Sequence, residues 1–404
     1  MRHFIKNGIQ AALVSLSLLT LPAISHAEKQ KTQTISPQLY KQLSSTEQLI
    51  AKQHYAHARQ KLHQILSGLK KDSYEQALTL SSLASVYALE NNYSKAAKFL
   101  EQCLATKMLS DPQQQESLLN LGQLYMATEQ YQKTVNTLQR WLNNNPETTD
   151  VQVLLANAYT QLKQYRKALP YIEKAIKQSK KPQEGWLQLN LALYYELENY
   201  SAAAGILRKL QTRYPDKKDY WQQLASIYQQ LRQFSKALTT QHLAYKKGFI
   251  SSESDILTLV NLFLYQKQPY QAAQLLDKEL NAKRVTPNAT NWEALANAWT
   301  SAREYKQAVN ALEKASALHE KGELYLQLGR IHIEQELWQA AINAINKAVK
   351  KGQLKQIGEA YILLGMSLYE TEQIKAAKQA FHKAAKYRKT QKSAKQWLNY
   401  IEQG

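Results

Sequence analysis

The side chains best able to do chemistry in this sequence are few and poorly placed for it. Cys103 is the only cysteine. It falls at a second-helix core position of the pattern described below, where a thiol acts as a small hydrophobe rather than a nucleophile. His54 and His57 stand at i, i+3, with His63 further on. That spacing turns two imidazoles to one side of a helix, but a metal site needs further His, Cys or carboxylate ligands in the same register. None is there, and the pair reads as solvated. The chain holds no phosphate-cradling glycine loop, no G-x-S-x-G elbow and no H-E-x-x-H helix. No catalytic residue, cofactor or metal is expected, so function must lie on surfaces that bind.

The elements that carry those surfaces follow from composition. Only 12 Gly and 9 Pro stand among 404 residues. So few breakers predict an almost wholly helical protein. The first residues differ from the rest. Arg2 and Lys6 precede an apolar run from Ile9 to Ile24, which ends in Ser25-His26-Ala27. This is the pattern of a secretory signal peptide cleaved after Ala27, so the mature chain is expected to be exported and soluble. No second apolar run is long enough to span a bilayer. The net charge is +20. For an exported protein this points to lipid headgroups, acidic polymers or acidic protein segments, and not to nucleic acid. The densest basic run is Lys383 to Lys395, near the end of the chain. It reads either as a polyanion contact or as a solvated helix end favoured by the helix dipole.

A large residue recurs every 33 to 38 residues: Tyr55, Tyr93, Tyr131, Tyr165, Tyr200, Phe234, Tyr270, Tyr305, Trp338 and Ile374. Three positions after each anchor stands a small residue: Ala58, Ala96, Thr134, Ala168, Ala203, Ala237, Ala273, Ala308, Ala341 and Ala377. Nine positions before it a small residue is frequent, as at Ala84, Gly122, Ala156, Ala225, Ala296, Gly329 and Gly365. Each unit shows two apolar stripes at helical spacing joined by a short turn. The small residues allow the two helices to cross closely. "LLNLGQLYMATEQYQKTVNTLQRWLNNNP" (Leu118 to Pro146) and "WEALANAWTSAREYKQAVNALEKA" (Trp292 to Ala315) resemble the tetratricopeptide repeat, W-x2-L-G-x2-Y…A-x3-F…P with a period of about 34.

The resemblance implies an all-α tetratricopeptide-repeat solenoid, a right-handed superhelix of about ten helix-turn-helix repeats. Residues 28–75 are expected to form a degenerate N-terminal capping repeat. Residues 76–389 form one continuous array of nine repeats, and 390–404 a closing helix. Three departures are expected to matter. Pro170 lies inside a helix and should kink it. The stripe slips after Tyr270, leaving Asp277 at an apolar position. "KMLSDPQQQ" (Lys107 to Gln115) reads as a longer connector.

In this repeat family the first helices line a concave groove. The residues at the matching positions here include Asn157, Gln188, Tyr195, Gln222, Gln229, Tyr265, Asn297, Arg330 and Tyr369. Their mixture of amides and aromatics suits an extended peptide. The alternative is that they are solvated or touch the next repeat. The family's clamp for a C-terminal carboxylate is absent, because Val153 and Glu293 stand where its lysine would be.

Beyond the repeat consensus, "HLAYKKGFI" (His242 to Ile250) and "PYQAAQLLDKEL" (Pro269 to Leu280) resemble periplasmic tetratricopeptide-repeat proteins encoded with TonB-type energy-transduction systems of marine gammaproteobacteria. That resemblance implies a non-enzymatic periplasmic scaffold for iron or siderophore uptake. The implied partners are TonB, its motor proteins or an outer-membrane receptor. The rival reading is a scaffold for another envelope machine, such as polysaccharide export, pilus or cell-wall assembly, which uses the basic surface to hold an acidic polymer or lipid.

Overall fold

The computed structural model describes residues 34–319 and 321–403. The leader expected over 1–27 lies outside the described residues. Among the described residues there are twenty-one helices and no strand, and no helix is long and apolar enough to cross a membrane. The chain divides into two compact units at Arg213 and Tyr214.

The first unit holds α1 (Pro37–Ala51), α2 (Tyr55–Ser67), α3 (Tyr74–Leu89), α4 (Tyr93–Ala105), α5 (Asp111–Ala127), α6 (Tyr131–Leu142), α7 (Thr149–Gln161), α8 (Tyr165–Gln178), α9 (Glu184–Glu196) and α10 (Tyr200–Arg213). The second holds α11 (Lys218–Gln230), α12 (Phe234–Lys246), α13 (Glu253–Tyr265), α14 (Pro269–Asn281), α15 (Ala289–Ser301), α16 (Tyr305–Leu318), α17 (Gly322–Glu334), α18 (Trp338–Lys351), α19 (Ile357–Glu370), α20 (Ile374–Ala384) and α21 (Gln391–Gln403). Odd and even helices pair into antiparallel repeats, and α21 closes the last of them.

The turn between paired helices is built the same way ten times. Each second helix starts at its anchor, and the residue two positions before it is left-handed. These residues run from Gln53 through Lys163 to Glu372, with φ between 55° and 62°. None is a glycine. The conformation ends the first helix with a Schellman-type bond: Gln164 N–H donates to the Tyr159 carbonyl at 2.9 Å, and Asn92 N–H to Tyr87 at 2.8 Å. First helices start differently. Ser36, Ser73, Thr148, Ser252 and Asn288 each accept a backbone N–H with the side chain, as N-caps.

The core lies where the two helices of a repeat cross. The anchor+3 residue is fully buried in every repeat, from Ala58 to Ala377. Opposite the small residue at anchor−9 lies the residue at anchor+7. A Cβ added to Gly122 would come within 2.7 Å of Leu138, one on Gly329 within 2.5 Å of Ile345, and one on Gly365 within 2.6 Å of Phe381. The small residues are there for close approach, as the pattern implied. Truncating a buried leucine in this row to Ala should cost about 2–5 kcal/mol.

The three departures named from the sequence take these forms in the structure. The seventh anchor is Pro269 and not Tyr270, because α14 starts at Pro269, Lys267 is the left-handed residue, and Ala272 is the fully buried +3 residue. Pro fits here because the first helical residue needs no N–H partner. With this register the slip disappears. Leu276 takes the buried +7 place, and Asp277 is a partly exposed residue that accepts from Asn281. Second, Pro170 lies inside a helix as expected, on the exposed side of α8, which continues past it to Gln178. Third, most of "KMLSDPQQQ" is helix. Asp111 starts α5 behind a Ser110–Gln113 capping box, so the longer step lengthens a first helix.

Candidate functional site

All nine residues named for the groove lie on first helices. Within each unit, neighbouring first helices touch through polar side chains. Gln113 donates to the Tyr74 hydroxyl at 3.0 Å, Asn291 to Glu253 at 3.1 Å, and Gln327 to Glu293 at 3.2 Å. First helices therefore lie side by side in each unit.

The nine differ in how free they are. In the first unit, Asn157 donates to the Val153 carbonyl of its own helix at 2.9 Å, Gln188 donates to Glu184 at 3.3 Å, and Tyr195 packs edge-on against Tyr200. In the second unit Arg330 pairs with Glu359 at 3.0 Å. Tyr369 packs against Trp397 and Tyr400 of the closing helix, so it belongs to the cap. Asn297 and Gln222 are exposed. Tyr265 is 64% exposed although its ring lies 4.4 Å from that of Phe234.

Gln222 and Gln229 are brought together with residues the sequence reading did not name. They line a cleft of about 200 Å³ with Trp221, Ala225 and Ser226 of α11, Gln241 and Ala244 of α12, Ile250, and Asp255 and Thr258 of α13. Two first helices form its walls and a second helix its floor. Gly248 shapes one end. Its φ of +79° turns the chain after α12, and Ile250 folds back to be buried. Trp221 is held by its indole N–H donating to the Pro215 carbonyl at 2.9 Å. Ser252 caps α13, accepting the Asp255 N–H at 3.2 Å and donating to the Asp255 carboxylate at 2.7 Å.

Gln241 is the unusual member. It occupies anchor+7, where the other nine repeats carry Leu, Ile or Phe. It is 6% exposed. Its Nε2 donates to the Asp255 carbonyl at 3.2 Å, which fixes the amide's orientation, since a carbonyl only accepts. Its Oε1 is buried without a partner. In the sequence Gln241 shares that column with Asp277, and only the register starting at Pro269 leaves it as the one polar residue there.

Much of the remaining polar chemistry joins one repeat to the next. The tyrosine at anchor−6 meets the residue at anchor+8 of the preceding second helix. Tyr87 pairs with His63 at 3.2 Å, Tyr125 donates to Glu101, Tyr159 accepts from Gln139 at 3.1 Å, and Tyr194 donates to Glu173. Burial, then the bond to Glu173, pushes the Tyr194 hydroxyl up to about 12. Lysines lie over many of these rings, as Lys133 over Tyr125 at 5.0 Å, and farther along Lys314 over Trp292 and Lys347 over Tyr325 at 4.3 Å each. Part of the positive charge is thus engaged within the fold as cation–π contacts. Cys103 is fully buried, donates to the Ala77 carbonyl, and has its thiol pushed up to about 12 by burial.

Comparisons agree with the repeat geometry. Tetratricopeptide-repeat models match residues 79–115, 153–218 and 358–391, and a model of anaphase-promoting complex, cyclosome, subunit 3 matches 102–175. No curated protein matches. Similar solved structures include the MamA protein at 20% identity, covering 42% of this chain and 90% of that one with a TM-score of 0.36. YrrB, described as a TPR protein with an unusual peptide-binding site, matches at 18%, covering 42% and 85%, TM-score 0.36. A tetratricopeptide repeat protein from Parabacteroides merdae matches at 15%, covering 82% and 100%, TM-score 0.39. The chain is an all-α tetratricopeptide-repeat solenoid, a fold that typically serves as a non-catalytic scaffold for protein partners.

Proposed function

We propose that this tetratricopeptide-repeat protein is a non-enzymatic periplasmic scaffold that holds an extended segment of a partner protein along its first helices. Support comes chiefly from the cleft between α11 and α13, whose walls carry the two amide residues, Gln222 and Gln229, expected to face a peptide. Side-chain amides can bond a peptide backbone, and the largely buried Trp221 and Ile250 border the cleft with apolar atoms. The partner proposed is a component of a TonB-dependent uptake system: TonB, its motor proteins or an outer-membrane receptor. That assignment is supported by the leader-like start of the chain and by the wording of "HLAYKKGFI" and "PYQAAQLLDKEL".

A second reading has its own observation. Lys386, Arg388, Lys389, Lys392 and Lys395 are exposed at the end of the second unit, and none forms an ion pair among the described residues. Such a patch would suit an acidic polymer or lipid in another envelope machine, with binding lost at high salt.

In-cell photo-crosslinking separates the two. A crosslinking residue at Gln229 or Tyr195 should capture TonB, its motor partners or a siderophore receptor. Capture only from Lys386, or capture of export or cell-wall proteins, overturns the uptake reading and supports the second.

A further inference from the structure

The cleft has a composition at odds with the rest of the molecule. The chain carries 52 lysines and arginines, yet none is among the ten residues that line it. Its only charged lining residue is Asp255. Beneath it lies Gln241, nine-tenths buried, whose oxygen has no partner. A buried acceptor left unpaired is costly, and among the nine side chains with such an atom in the described residues Gln241 is the one that lines this cleft. The opposite choice was open. An apolar residue fills this position in every other repeat, and Ala225 faces it as Ala84 faces Leu100 and Ala296 faces Leu312.

We propose that the cleft between α11 and α13 is a pocket for one arginine side chain of the bound partner segment. This rests on the scaffold reading and specifies the residue it selects. The demands of the pocket match a guanidinium. It needs several donors at one planar tip, for the Gln241 oxygen and the Asp255 carboxylate, and an apolar stem to pass the edges of Trp221, Ala225, Ala244 and Ile250 that border the cleft. The stretch of wall formed by Trp221 also attracts cations. Lys247 lies 5.8 Å from the Trp221 ring while pairing with Asp216 at 3.8 Å, outside the cleft lining. A ligand carboxylate would meet Asp255 and an acceptor, and a hydrocarbon side chain would leave Gln241 unpaired. Both are disfavoured.

The test uses the full chain without its leader, labelled with 15N, and five short peptides of one sequence with Arg, Lys, citrulline, Leu or Glu at the centre. The Trp221 indole and Gln241 amide resonances report binding. The Arg peptide should shift both saturably, and the citrulline peptide, equal in shape but uncharged, should bind at least about tenfold more weakly. Gln241→Leu and Asp255→Asn should each weaken the Arg peptide by about tenfold. Gln241→Leu should not lower the melting temperature, so a loss of binding cannot be put down to misfolding. The proposal is overturned if the Arg and Leu peptides titrate alike, if Gln241→Leu leaves the Arg peptide unaffected, or if no saturable shift appears by ~10 mM. Loss of the peptide effect with Gln229 crosslinks intact removes the arginine pocket and leaves the scaffold standing. Lost crosslinks with the peptide effect intact do the reverse.

Discussion

Replacing Gln241 with leucine should make the second unit more stable. In the folded chain the Gln241 oxygen is buried without a partner, which costs about 1–3 kcal/mol. Its nitrogen recovers about 0.5–1.5 kcal/mol through the bond to the Asp255 carbonyl. Leucine removes both terms. It also puts an apolar side chain of similar volume in a place 6% exposed, opposite an alanine that faces leucine in two other repeats. The Asp255 carbonyl keeps its helical partner, so no new group is orphaned. The expected net gain is about 1–2 kcal/mol. For a unit of this size that raises the melting temperature by about 2–8 °C. Calorimetry or circular dichroism of the full chain measures it, with a check that the second unit melts as one step, since repeat arrays need not. A fall of more than a few degrees would falsify the reasoning. It would mean that the link from α12 to α13 through Asp255 outweighs the unpaired oxygen, and that Gln241 is a structural tie.

Other outcomes follow from the same geometry. Gly322→Ala should destabilise by about 1–3 kcal/mol, since a Cβ there would lie 2.1 Å from the Gly352 carbonyl oxygen and 2.5 Å from that of Ala348, both backbone atoms that cannot turn aside. Gly205→Ala, in a helix interior with nothing within 4 Å, should stabilise by about 0.5–1 kcal/mol, and the pair measured by urea unfolding tests the packing in opposite directions. Glu279 is fully buried at anchor+10, held by Tyr245 at 2.5 Å and by Arg284 at 2.5 and 2.7 Å. Glu279→Ala should cost about 3 kcal/mol, whereas Glu279→Leu with Arg284→Leu should recover most of it in a thermal melt. Burial lowers the pKa of His332 and His242 below the usual histidine value. The unfolded chain therefore takes up protons first. Stability of the second unit should be fully present above about pH 6.5 and fall as the pH drops toward the lowered folded values, with a smaller fall in His332→Phe.

The sequence alone determined the repeat. Period, paired helices, small residues at the crossings and the closing helix all depend on side chains a few positions apart, and local spacing survives in a one-dimensional reading. It also held the odd residue of the site, a glutamine in an apolar column, but the column became visible only after the seventh anchor moved from Tyr270 to Pro269. The sequence already sets Pro269 at a helix start, where proline is tolerated, but the recurring aromatic put the anchor one residue later, at Tyr270. Tertiary structure decided the rest. Tyr87 meets His63, and Tyr194 meets Glu173, because a second helix is set against the next first helix at one particular rotation. Tyr369 was drawn from the groove into the cap by α21. The cleft exists because Gly248 returns Ile250 to the core and brings Asp255 within reach of Gln241. Contacts between repeats depend on helix rotation and on the path of the connector, and neither is set by the spacing of residues along one helix.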